Sequence, residues 1–166
     1  DATAMHLYWQ SRGVASIHGA NITTLDMWSD DARNELWSLL EGEIAVKFIG
    51  EVVVAGESVS APVVGGNLTV ISSMVGTGQL PSFEGQIVVL EDIGERTYRL
   101  DRHLFQLKAA GVFDGVVGVG IGQLTHCESG SDDYSSCDVV VESLQELGVP
   151  ILTHLDIGHE ATSRPV

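Results

Sequence analysis

The order of apolar runs between residues 86 and 152 constrains this chain more than any other feature. Ile87-Val88-Val89-Leu90, Val116 to Ile121 and the shorter Ile151-Leu152 are aliphatic runs in which polar residues do not alternate. Runs of that kind suit strands covered on both faces. Helical periodicity lies between them. Leu100, Leu104 and Leu107 repeat at i, i+4 and i+7 between Thr97 and Gly111, and Val141 and Leu144 fall within a second helix over 138–147 that Gly148-Val149-Pro150 stops. Strand, helix, strand, helix, strand is the signature of crossover units, whose default is a parallel sheet with right-handed connections. The expected fold class is α/β with a mainly parallel sheet.

Upstream, Ala4, Leu7 and Tyr8 share one face and predict a helix over 2–12, ended by Gly13. Val14 to Ile17 predicts a short strand, and Ala32, Leu36, Leu39 and Leu40 predict an amphipathic helix over 30–40. Ile44, Val46 and Phe48 alternate with Ala45 and Lys47 and predict a strand, with Val52 to Val54 as another. Gly65-Gly66-Asn67-Leu68 reads as a turn leading into a helix over Thr69 to Val75. The change from helical to β-rich character places a domain boundary around residues 20 to 45, with 26–45 as connecting helix and linker and 46–166 as the C-terminal unit.

With 44% hydrophobic residues among 166, the chain can bury a good core, yet no apolar run approaches the roughly 20 residues a membrane span needs. Twenty-three Asp and Glu against eight Lys and Arg give a formal charge of −15, which repels phosphate backbones and anionic headgroups. Neither nucleic acid nor membrane is expected as a partner. Cys127 and Cys137 make no dense disulfide framework, so a reducing, cytoplasmic setting is favoured. His126, Cys127, Asp132, Asp133 and Cys137 lack metal-ligand spacing, and the glycine run from Gly115 to Gly122 lies inside a strand pattern instead of between a strand and a helix. No metal and no cofactor is expected, and those glycines suit a strand that another backbone approaches closely.

In open α/β sheets, ligands sit beyond the carboxyl ends of the strands. Glu91 follows the run Ile87 to Leu90, and His159 lies in the loop after Ile151. A carboxylate and an imidazole at neighbouring strand ends can form the orienting half of a nucleophilic triad; the alternative is a surface glutamate and a loop histidine. His6, His18, His103, His126 and His154 share no ligand spacing and read as ordinary histidines. Arg96, Arg99 and Arg102 could meet a carboxylate ligand or pair with Glu95 and Asp101.

Several strings together resemble the serine LD-carboxypeptidase family, which includes the murein tetrapeptide LD-carboxypeptidases and the microcin-immunity peptidases. They are Ser16-Ile17-His18-Gly19, Gly65-Gly66-Asn67-Leu68, Gly85 to Glu95, Tyr98 to Arg102 with Leu107 to Gly111, and Gly158-His159, in an order that covers nearly the whole chain. The resemblance implies a Rossmann-like N-terminal domain that bears a nucleophilic serine, of which residues 1–25 are the end, followed by a small α/β domain. It implies Glu91 as triad carboxylate, His159 as base, and hydrolysis of the bond to the terminal D-alanine of a murein tetrapeptide in peptidoglycan recycling. Asp1 matches the residue after the serine, so the chain is expected to begin one residue past the nucleophile, to contribute the Asp1 N–H to an oxyanion hole, and to be inactive alone. Ser72 and Ser73 lie in a helix pattern and do not replace that serine. Asn67 and Arg102 are the candidate substrate contacts. The partners implied are a murein peptide and the N-terminal half of the same protein, with a homodimer left open. The competing readings are a peptidase of toxic peptidyl-nucleotides, a peptide-binding relative without catalysis, and a purely structural domain.

Overall fold

The computed structural model describes residues 2–128 and 134–166. In chain order the elements are α1 (Ala2–Gln10), α2 (Asp30–Leu40), β1 (Glu51–Val54), β2 (Val63–Asn67), α3 (Leu68–Ser73), β3 (Ile87–Ile93), α4 (Thr97–Ala109), β4 (Gly118–Thr125), α5 (Ser136–Leu144) and β5 (Ile151–Thr153). Single 3-10 turns occupy Leu25–Met27 and Gln145–Leu147. The five strands form one sheet in the order β1-β5-β4-β3-β2. β2, β3, β4 and β5 run parallel, and β1 joins antiparallel to β5 at the edge. The fold is therefore α/β with a mixed, mostly parallel sheet.

Side-chain alternation along β3 explains how the sheet is covered. Val88 and Leu90 point into the main core with Leu100, Leu104 and Leu107 of α4 and Leu144 of α5, whereas Val89 packs on the other face with Leu155 and Ile157. The three α4 leucines are fully buried, each contributing about 1.5–3 kcal/mol of burial. Leu7 of α1 enters the same core as Leu68 and Ile71 of α3. Side-chain caps start three of the helices: Ser29 accepts from the Ala32 N–H, Asn67 from Val70 and Ser135 from Asp138.

Three local expectations fail for physical reasons. Val14 to Ile17 is not a strand; Val14 is 52% exposed and its N–H turns back to the Trp9 carbonyl, and the pairing with Val166 begins only at His18. Ile44 to Phe48 alternates correctly but forms no strand, because β5 is three residues long and offers partners only to Glu51, Val52 and Val54. The sequence Gly65-Gly66-Asn67 is the end of β2, with Asn67 opposite Glu91, and no turn forms there. Gly65 lies at φ +143°, and a Cβ there would sit 1.8 Å from the Val89 carbonyl oxygen. Only glycine lets β2 come that close to β3. Gly65→Ala is expected to cost about 3 kcal/mol or more of stability, read as a lowered urea midpoint, with overpacking and backbone strain acting together.

Candidate active site

β3 continues past its apolar run and carries two consecutive buried carboxylates, Glu91 and Asp92, each about 1% exposed. A buried carboxylate is tolerated only where donors meet it. Asp92 receives four hydrogen bonds: from Asn67 Nδ2 (2.9 Å), the Thr69 N–H (2.9 Å), Thr69 Oγ1 (2.8 Å) and the Ile93 N–H (2.8 Å). Glu91 Oε2 lies 2.8 Å from His159 Nδ1. When Glu91 is ionised its carboxylate can only accept, so a neutral His159 donates from Nδ1 and keeps its lone pair on Nε2. Burial holds the Glu91 carboxyl above its ordinary range; the charge and hydrogen bond of His159 pull it back down, the neighbouring Asp92 pushes it further up, and a hydrogen bond from Asn67 lowers it.

The loop that carries His159 is placed by β4. Gly122 has no side chain where a Cβ would meet the Ile157 carbonyl oxygen at 2.3 Å and Glu91 Cβ at 3.4 Å, so the loop crosses directly over the strand end. Gln123 then fixes the loop at four points. Its N–H donates to the Ile157 carbonyl (2.7 Å), its Oε1 accepts from the Glu160 N–H and from Ser163 Oγ (both 2.9 Å), and its Nε2 donates to Thr162 Oγ1 (3.0 Å). Further on, Arg164 pairs with Glu35 of α2 at 2.7 Å, and Val166 exchanges both backbone hydrogen bonds with His18, at 2.6 and 2.9 Å. His159 is thereby held beside a cleft of about 420 Å³, whose walls include His6, His18, Trp28, His159 and Arg164.

The structure thus brings Glu91 and His159 together, as their strand-end positions suggest. Asn67 lies next to Glu91 across the β2–β3 register, but its side chain is occupied in capping α3 and holding Asp92. Arg102 is exposed on α4 with its guanidinium 5.5 Å from the Tyr98 ring centroid, and it does not line the cleft. Arg99 pairs with Glu95 at 3.2 Å. Asp1 lies outside the described residues, as do Asp132 and Asp133. Ser72 is buried between Gln106 and His103, away from this cleft. Among the described residues, His159 makes no hydrogen bond to a hydroxyl or thiol. Sequence reading missed Gln123, a polar residue at the end of an apolar strand, and it missed that His6 and His18 share a cleft with His159.

Residues 60–166 match the LD-carboxypeptidase C-terminal domain family. The chain belongs to this family. A Synechocystis protein named as a carboxypeptidase is 34% identical over 149 residues, which is 89% of this chain and 49% of that protein. The crystal structure of muramoyltetrapeptide carboxypeptidase from Oxalobacter formigenes superposes with a TM-score of 0.79 at 24% identity, covering 100% of this chain and 59% of that one. The microcin C7 self-immunity protein in complex with glutamyl sulfamoyl guanosine gives a TM-score of 0.75 at 17% identity, over 99% of this chain and 59% of the other. Both likenesses establish a shared fold. The chain spans about half the length of the carboxypeptidases it matches. Among the described residues, no helix is long and apolar enough to cross a membrane.

A buried carboxyl with a raised folded-state pKa contributes stability that is complete below its unfolded value, about 4.3, and is lost as pH rises through the folded value. Glu91→Gln removes that loss and leaves an amide oxygen to accept from His159. Relative to the parent, the variant should therefore gain stability as pH rises above about 4.3, measured as the difference in urea midpoints; a difference that stays constant with pH would contradict the assignment.

Proposed function

We propose that this chain supplies the base and the carboxylate of a serine-type LD-carboxypeptidase that removes the terminal D-alanine from murein tetrapeptide. The observation that carries the reading is the 2.8 Å pairing of His159 Nδ1 with the buried Glu91 carboxylate at the edge of a cleft. Such a pair does nothing by itself; it needs a hydroxyl whose proton Nε2 can take. In this proposal, that hydroxyl belongs to a serine immediately before Asp1, on a turn between a strand and α1 within an N-terminal Rossmann-like domain, and the Asp1 N–H helps to form the oxyanion hole.

The serine oxygen attacks the carbonyl of the L-configured diamino-acid centre while His159 Nε2 takes its proton. Glu91 holds the imidazole in the required tautomer and stabilises the imidazolium that results. The tetrahedral intermediate collapses with cleavage of the C–N bond, and the imidazolium returns the proton to the departing amine of D-alanine. Water then hydrolyses the acyl-enzyme, with His159 again acting as the base. Gln123 serves this chemistry indirectly, by holding the loop on which His159 rides. The proposed setting is cytoplasmic recycling of murein peptides.

The test is release of D-alanine from murein tetrapeptide by the full-length protein. His159→Ala should lower the rate by at least about 10³-fold and Glu91→Gln by about 10²- to 10⁴-fold, with KM changing less than kcat. A well-folded protein that leaves the tetrapeptide intact but hydrolyses an aminoacyl-nucleotide would replace the murein reading with the peptidyl-nucleotide one. Gln123→Ala should lower kcat about 10-fold or more while leaving the urea midpoint within about 1 kcal/mol of the parent, because the hydrogen bonds it removes lie at a partly exposed loop.

A further inference from the structure

We propose that His18 is a ligand-binding residue of the His159 cleft, whose imidazole hydrogen-bonds the terminal carboxylate of the peptide. The inference rests on the peptidase reading above and adds to it the group that recognises the free chain end. A leaving group of one amino acid sets a tight condition, since its carboxylate carbon lies only about 2.5 Å from the nitrogen that leaves. Whatever binds that carboxylate must stand beside His159.

Each of three other polar groups on the cleft wall already has one nitrogen engaged. His159 Nδ1 is held by Glu91, His6 Nδ1 lies 2.7 Å from Ser16 Oγ, and Arg164 NH1 is paired with Glu35 at 2.7 Å. His18 differs, because neither of its ring nitrogens has a hydrogen-bond partner among the described residues. Its position is nevertheless fixed: both backbone groups pair with Val166, and its ring meets the His6 ring edge-on with centroids 5.5 Å apart. In a chain of formal charge −15, Glu160 is the only acidic side chain among the described residues lining this cleft, so a carboxylate meets less repulsion here than over the surface at large. Burial first, then the charges of His6 and His159, hold His18 below the ordinary imidazole range, so that it meets the ligand as a neutral N–H donor.

The experiment compares binding of murein tetrapeptide with binding of the same peptide ending in a carboxamide, using the full-length protein carrying His159→Ala so that no turnover intervenes. The free carboxylate should bind about 10-fold or more tightly than the amide, the usual scale of a hydrogen bond to a charged group. Adding His18→Ala should bring the two affinities within about twofold, and His18→Gln, which keeps an N–H donor, should recover part of the preference. Should His18→Ala fail to fold, His18→Leu fills the space without a donor and reads the same ratio. A preference that survives loss of the His18 ring overturns the assignment, as does binding of both peptides with no preference at the start. Binding of neither peptide would overturn the murein reading itself.

Discussion

Two carboxylates side by side in the interior of a sheet are expensive, and much of this structure is arranged around that cost. Taking an ion out of water costs several kcal/mol unless donors replace the solvent. Asp92 is met by two side-chain donors and two backbone N–H groups drawn from β2, the start of α3 and β3 itself. Glu91, one residue earlier, has the imidazole of His159 as its partner, with Asn67 alongside. Of these two carboxylates the first, Asp92, is saturated with donors. The second is underpaired without its histidine, and a group placed in that way can respond to a change of charge on the imidazole.

The approach of His159 depends in turn on what β4 omits and what it adds. A side chain at position 122 would collide with the loop, and without the amide at 123 the loop would be held by few bonds. Downstream, the Arg164–Glu35 pair and the Val166–His18 backbone bonds tie the same loop to α2 and to the segment after α1. His159 is therefore fixed from both sides by contacts that lie far apart in sequence. In the role proposed for His159, positioning of that kind matters because catalytic geometry tolerates errors of well under an ångström.

Periodicity made the parallel core legible. The leucines of α4 and the aliphatic runs of β3 and β4 fall where their spacing places them, because burial on both faces leaves those residues little choice. Illegible were the features set by partners instead of by local pattern. Whether 44–48 pairs as a strand depends on the length of β5, and whether Gly65-Gly66 turns or extends depends on the nearness of Val89. Glu91 and His159 could be picked out because strand ends are few; Gln123 could not, since a glutamine at the end of a strand looks like any other solvent-facing residue until the loop it holds is seen. Arg102 is the converse case, a chemically apt side chain that lies on the exposed face of its helix, away from the His159 cleft.

The raised protonation range of Glu91 follows from the same burial that makes it useful. In a solvated site, a carboxylate next to imidazolium would be screened and its attraction weak; beneath the sheet end, the attraction is strong, and so is the penalty for holding the charge while the imidazole is neutral. Asp92 adds to that penalty, and Asn67 and His159 reduce it. That balance is built from residues of β2, β3 and the loop after β5.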